Sequence, residues 1–322
     1  MKAVRFHEFG GPEVLRYEDV DDPSPGPGEA VVRLGACGVN FIDTYQRTGA
    51  YNVGLPHTAG QEGAGEVVAV GEGVTNVAVG ERVAFSGTPA SYAESVRVAA
   101  DRLVKLPEGV DAETGAAALL QGMTAHFLAT STYSLAHGHT CLVHAAAGGV
   151  GLLLTQIAKM RGARVLATVS TEEKAELARG AGADEVIRYT EQDFVAEVKR
   201  LTGGAGVQVV YDSVGKDTFD GSLDCLEERG LLALFGQSSG RVPPMDPQTL
   251  NAKGSLFLTR PTLGSYTRTR EELDQRAGDI FGWIAEGALN VRVGARFALS
   301  DAADAHRALE GRRTTGKVLL IP

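Results

Sequence analysis

His144-Ala145-Ala146-Ala147-Gly148-Gly149-Val150-Gly151 lies between a short apolar run, CLVHA, and a helical pattern, GVGLLLTQIAKM. Glycines at such a strand-to-helix turn let the backbone approach a pyrophosphate, and the helix start offers free N–H groups with a favourable dipole. The spacing is A-x-x-G-x-x-G, with Ala145 where the commoner fingerprint has its first glycine. By itself the triplet is weak, because glycines also serve close helix–strand packing. The surrounding pattern decides the matter. RVLATV, DEVIRY, VQVVYDSV and GLLALFG read as strands, alternating with helical TEEKAELARG, DFVAEVKRLT and TFDGSLDCLEER (218–229). Strands alternating with helices of this length predict right-handed βαβ units, a parallel sheet and a dinucleotide site at Gly148, Gly149, Val150 and Gly151.

The end of the second strand predicts which dinucleotide. An acidic residue there binds a ribose 2′-hydroxyl. This chain instead has Ser170 and Thr171, with Lys174 one turn into the next helix. A hydroxyl and a lysine suit a 2′-phosphate, so NADPH is expected. Lys174 has a second reading as a solvated surface lysine, and Glu172 and Glu173 read as dipole compensation at a helix start.

Upstream, residues 1 to about 100 are short β-rich segments such as KAVRF, AVVRLGACGV and GEVVAV, broken by PSPGPGE and GEGVTNVAVGE. A β-dominated module is expected there. Asp111 to about Ser131 reads as helix, GSLFLTR (254–260) as a strand and REELDQRAGDIFGWIAEG (270–287) as a long amphipathic helix. With 322 residues, two domains are the default. A net charge of −9 disfavours a general nucleic-acid or anionic-membrane surface. No apolar run approaches the about 18 residues of a membrane span, and MKAVRFHEFG lacks a signal-peptide core. Cys37, Cys141 and Cys225 form neither a disulfide framework nor a C-x-x-C pair. A cytoplasmic protein is expected.

The run from Gly138 and His139 through Ala146-Ala147-Gly148-Gly149-Val150-Gly151 to Gln156 and Lys159 resembles the signature of the zinc-independent quinone oxidoreductase (ζ-crystallin) family, within the medium-chain dehydrogenases/reductases. NFIDTYQRTGAY (40–51), VVYDSVG (209–215), FGQSSG (235–240) and GSLFLTRP (254–261) extend the likeness over essentially the whole chain, most closely to bacterial NADPH:quinone reductases. The resemblance implies an α/β fold: a GroES-like β-rich catalytic domain (1–124 and 262–322) and a Rossmann NADPH-binding domain (125–261), with the cofactor between them. It implies cofactor contacts at Phe41, Ile42, Asp43, Thr44, Tyr45, Phe127, Gly149 and Val150. Ser170, Thr171, Lys174 and Tyr189 would surround the 2′-phosphate, and Arg312 would close over it. Phe235, Gly236, Gln237, Ser238, Ser239, Arg260, Pro261, Thr262 and Leu263 would flank the nicotinamide half. Gln237 stands where relatives often have Asn, and Phe127 where some have Tyr. A homodimer through the sheet edge at Gly254–Thr259 is also implied.

Zinc alcohol dehydrogenases of the same superfamily hold their metal where this chain resembles them at Asn40, Gln61 and Gln121; neutral amides are poor zinc ligands, so no metal is expected. Quinone carbonyls need little activation beyond hydrogen bonds to the oxygen that gains charge. Tyr45 and Tyr51 are the candidates for that role, and Asn40 and Gln61 for orienting substrate. Each has a second reading: Tyr45 as a cofactor contact, Tyr51 as lid surface, Gln61 as a partner for buried backbone. NADPH-dependent reduction of an enone or 2-alkenal double bond is the alternative activity, and a crystallin-like or RNA-binding role the non-catalytic one. None of the seven histidines forms a catalytic pattern, and His144 reads as a packed structural imidazole.

Overall fold

The alternation after Thr140 builds a six-stranded, fully parallel sheet in the computed structural model, which describes residues 1–322. Its strands are β1 (Thr140–Val143), β2 (Arg164–Val169), β3 (Glu185–Arg188), β4 (Val207–Asp212), β5 (Leu226–Leu234) and β6 (Phe257–Thr259). They lie in the order β3-β2-β1-β4-β5-β6. That order reverses beside β1, and in such sheets ligands bind where it reverses, off the carboxyl ends of the strands. Leu142, Leu166, Ile187, Val210 and Leu232 are buried together in its core, as expected of strands covered on both faces. Connecting helices are locally specified: Thr171 caps α2 (Glu172–Gly180) and the Asp193 carboxylate accepts from Val195 N and Ala196 N to cap α3 (Phe194–Leu201). α1 (Gly149–Met160) follows the glycine loop, and α4 (Phe219–Asp224) precedes β5.

This sheet belongs to a unit of residues Thr124–Tyr266; the other unit combines Met1–Met123 with Thr267–Pro322. The second segment is built into the first unit's β-structure. Strand Lys317–Ile321 runs antiparallel to Glu29–Val39, with Leu319 opposite Gly38. Glu29–Val39 also pairs with Glu62–Val70 and Ser95–Ala99. Val32, Leu34, Val67, Phe85 and Leu320 close its core. The combination is a β-rich domain closed by the C-terminal segment plus a Rossmann-type parallel-sheet domain, as the sequence resemblance implies.

Two elements depart from the sequence reading. The helix expected over 218–229 stops at Asp224, because Leu226 pairs with Val207 and the following residues enter the sheet. Backbone pairing with a distant strand overrides local helix propensity there. The helix expected to reach Ser131 is regular over Ala112–Phe127 and widens into a π-helical turn at Leu128–Thr132.

Candidate functional site

In the parallel-sheet unit, the chain leaves β1 at His144 and turns through Ala145, whose φ of 50° lies in the left-handed region. That is the conformation for which the fingerprint's first glycine is suited, and here an alanine adopts it. Gly148 N donates to Ala145 O at 2.9 Å, closing the turn, and Ala146 N donates to Thr168 O at 3.1 Å, tying the loop to β2. Gly148 is the N-cap of α1, and no side chain caps its first N–H groups. Those groups are therefore left for an anion. Gly151 packs the helix against the loop: a Cβ there would stand 2.7 Å from Ala146 Cα and against the Ala145 carbonyl. The glycine spacing is thus a requirement of close approach, and it fits a pyrophosphate.

Ser170 and Thr171 follow β2 directly. Lys174 Nζ lies 3.4 Å from Ser170 Oγ, and Thr190 Oγ1 donates to Ser170 O at 2.9 Å. Tyr189 is 39% exposed, and its N–H donates to Val169 O. The nearest acid is already partnered: Glu172 accepts from Arg179 at 2.6 Å and faces Arg188 at 3.3 Å. The hydrogen bond from Arg179 in particular holds its carboxyl below the usual range. This cradle brings hydroxyls and an ammonium together, with the Glu172 carboxylate held by two arginines, a chemistry that suits a 2′-phosphate.

Phe235 to Ser239 form a loop at the carboxyl end of β5, bonded to the Ser213–Asp217 turn through Ser238 N to Ser213 O and Ser239 N to Val214 O. Arg260, Pro261 and Thr262 follow β6, and Leu263 opens the short helix Leu263–Tyr266. Phe127 departs from its expected role. It is 1% exposed, and its ring is stacked on Tyr266 at 4.3 Å and 6°. A ring so placed is core, and Tyr266 is the half-buried partner of the pair.

In the β-rich unit, Asn40 precedes the helix Phe41–Arg47, and Asp43 closes its first turn by accepting from Asn40 N at 2.8 Å. Tyr45 lies beside Phe41 at 6.2 Å and meets Tyr51 edge-on at 5.4 Å. Ile42 is half-buried and Thr44 buried, its hydroxyl on Phe41 O. Asp43 also departs from a direct cofactor contact. Its side chain is 1% exposed and accepts from Tyr92 Oη at 2.9 Å. Tyr92 in turn meets His306 Nε2 at 3.1 Å, and Arg47 donates to His306 Nδ1 at 2.9 Å. Burial pushes Asp43 up to about 7, and burial together with Arg47 pushes His306 down to about 3.

Asn40 is likewise spent within its unit. Its Oδ1 accepts from Lys317 Nζ at 2.9 Å and Gln121 Nε2 at 3.2 Å; its Nδ2 donates to Glu62 Oε2 at 2.9 Å and Gly38 O at 3.2 Å. Lys317 and Glu62 form a buried ion pair, 1% and 0% exposed. Asn40 therefore supports the site through this network, and its amide has no free group for a substrate. Gln61 is half-buried and its carbonyl accepts from Gly87 N at 2.8 Å. Arg312 belongs to the β-rich unit, just after the helix Ala302–Glu310, with φ 56°.

Residues 26–108 match the alcohol dehydrogenase GroES-like domain, and residues 149–280 match the zinc-binding dehydrogenase family. The quinone oxidoreductase of Pseudomonas aeruginosa is 50% identical, over 100% of this chain and 99% of that protein. The chain belongs to the quinone oxidoreductase family. The 2-haloacrylate reductase of a Burkholderia species is 43% identical over 99% of this chain and 98% of its own. The Escherichia coli quinone oxidoreductase, solved as a complex with NADPH, superposes with a TM-score of 0.98 at 44% identity, covering all of both chains.

Within this quinone oxidoreductase framework the residues present do not suit zinc. Asn40, Gln61 and Gln121 are amides, and the Lys317 ammonium already sits on the Asn40 oxygen. A second cation beside it would be repelled. Sequence reasoning missed Lys317 and its partner Glu62, as it missed Tyr92 and His306. Neither pair has a local signal, since each is assembled from segments more than 200 residues apart.

Proposed function

We propose that this chain reduces quinones with NADPH. The observation that carries the reading is the cradle of Ser170, Thr171 and Lys174 beside the uncapped start of α1, with Glu172 neutralised by two arginines. Backbone N–H groups of Gly149, Val150 and Gly151 would hold the pyrophosphate, and Lys174 and Ser170 the 2′-phosphate, with Arg312 as a further cation for it. Gly236 to Ser239 and Arg260 to Leu263 would border the nicotinamide half. When bound, NADPH supplies the reducing equivalent. Tyr45 and Tyr51 would donate hydrogen bonds to the quinone oxygen that gains charge; Tyr51 is 38% exposed and held edge-on to Tyr45. Gln61 would help orient the substrate. In this reading residues 125–261 are the NADPH-binding domain, and 1–124 with 262–322 the catalytic domain.

Reduction of an activated carbon–carbon double bond is the second reading, favoured by the full-length likeness to a 2-haloacrylate reductase. It requires a proton at carbon, so loss of the Tyr51 hydroxyl would abolish it, whereas quinone turnover would be lowered but not abolished because Tyr45 still donates to the quinone oxygen. We also assign the chain to the cytosol, supported by three buried free thiols, and to a homodimer through β6, supported by exposed Phe257 and Leu258 on an edge strand.

The test is a titration with NADPH and NADH followed by nicotinamide fluorescence, then turnover of a small quinone and of an enone. Tight NADPH and weak NADH binding, with the preference lost in Lys174→Ala, is the expected result. Equal binding of both by the wild type would overturn the 2′-phosphate assignment.

A further inference from the structure

Asp212 ends β4 with its side chain fully buried, and its carboxylate gathers four donors. Oδ1 accepts from Val214 N at 2.8 Å and Gly215 N at 3.0 Å. Oδ2 accepts from Thr218 Oγ1 at 2.7 Å and Ser222 Oγ at 2.8 Å. A group so surrounded by donors acts only as an acceptor, so Ser222 spends its single proton on Asp212. Ser222 Oγ must then accept from His144 Nε2, 3.1 Å away. That places the imidazole proton on Nε2 and leaves Nδ1 to accept from Thr168 Oγ1 at 2.8 Å. The result is one directed chain from Thr168 to His144 to Ser222 to Asp212, with every member at most 2% exposed. Burial pushes His144 below its usual range, in keeping with a neutral imidazole that both donates and accepts.

The placement of this chain matters more than its strength. Thr168, His144 and Asp212 stand at the carboxyl ends of β2, β1 and β4, the three strands around which the sheet order reverses. His144 is the residue before the left-handed Ala145 that starts the glycine loop. On its other side Asp212 holds the second loop. Its own carbonyl accepts from Phe235 N at 2.8 Å, and the 213–217 turn fixed by its carboxylate bonds onward to Ser238, Ser239 and Gly240. The imidazole is held laterally as well, edge-on to Phe194 at 5.1 Å.

We propose that His144, Ser222 and Asp212 are positioning residues that set the glycine loop and the Phe235–Gly240 loop at a common height, so that one dinucleotide meets both. This rests on the NADPH reading above, and adds that the loops are coupled through side chains that touch no ligand. The chain acts on the pyrophosphate loop and leaves the 2′-phosphate cradle alone. Its loss therefore weakens NADPH and NADH by the same factor.

The test uses the full chain with Ser222→Ala, and with His144→Phe combined with Ser222→Ala. The single variant leaves the His144 N–H unpartnered in the core; the double variant removes that N–H but takes the acceptor from the Thr168 hydroxyl, so thermal stability is read for both beside binding. Dissociation constants for both dinucleotides are read by nicotinamide fluorescence, beside kcat and KM with a small quinone. We expect about a tenfold rise in both dissociation constants for either variant, ~1.4 kcal/mol, with kcat at saturation within about twofold. Lys174→Ala is the contrast, weakening NADPH alone. The inference is overturned if the double variant binds both dinucleotides as the wild type does, or if NADPH alone is affected. A wild type that binds neither dinucleotide would overturn the cofactor reading itself, and this inference with it.

Discussion

Replacing Lys317 by Met removes one partner of a fully buried ion pair while keeping the length and most of the apolar stem. Removing one side of such a pair costs about 3–5 kcal/mol, because the remaining charge is left in a medium that solvates it poorly. The structure points to the lower end of that range. Glu62 would retain two donors, Asn40 Nδ2 at 2.9 Å and Leu120 N at 2.6 Å. A loss of ~3 kcal/mol lowers the folding equilibrium constant more than a hundredfold. In a unit of this size it should lower Tm by about 6–12 °C. Gly38 leaves the backbone no room to relax, since even a Cβ there would lie 2.8 Å from Lys317 Cε and 2.6 Å from Ala116 O. Urea unfolding followed by circular dichroism measures the loss. Adding Glu62→Gln removes the stranded charge and should restore about 2 kcal/mol, since the amide oxygen can still accept from Leu120 N. A single variant within about 1 kcal/mol of wild type would refute the argument, as would a double variant less stable than the single one.

Gly151→Ala should weaken NADPH binding at least tenfold in a fluorescence titration, because the new methyl collides with the Ala145–Ala146 backbone; unchanged binding would mean the loop is not the pyrophosphate site. Asp43 and His306 give opposed pH dependences. With Asp43 raised from 3.8 to about 7, the native state keeps a proton the unfolded chain releases, so stability falls as pH rises through that window. With His306 lowered from 6.5 to about 3, the unfolded chain binds the extra proton and stability rises with pH there. The two slopes cancel between about pH 4 and 6.5; Asp43→Asn should unmask a rising urea midpoint over that range, and parallel curves for variant and wild type would dismiss the assignment. For the proposed homodimer, the wild type should sediment as a dimer and Phe257→Lys on the exposed β6 edge as a monomer with NADPH binding retained; a monomeric wild type or a dimeric variant would refute pairing through β6.

The parallel-sheet domain was legible in the sequence because its signals are local. Apolar runs alternate with helical ones, and Gly148, Gly149 and Gly151 lie where a strand turns into a helix. The proposed dinucleotide preference rests on an equally local signal, Ser170, Thr171 and Lys174 within five residues. Periodicity could not show that Lys317–Ile321 returns to pair with Glu29–Val39, since strand pairing is a contact between distant segments. It also misread 226–229 as helix, where pairing to β4 prevails.

Residue type alone determined that the Asn40, Gln61 and Gln121 positions carry amides, which are poor zinc ligands. Tertiary structure decided what those amides do, by bringing the Lys317 ammonium and Glu62 carboxylate onto Asn40. It likewise turned Phe127 inward against Tyr266, buried the Asp43 side chain under Tyr92, and joined His144 to Asp212 through Ser222. The physical reason is common to all of these. A backbone approach or a helix start is encoded within a few residues, whereas a buried polar group's role depends on which donors and acceptors the fold brings to it from far along the chain.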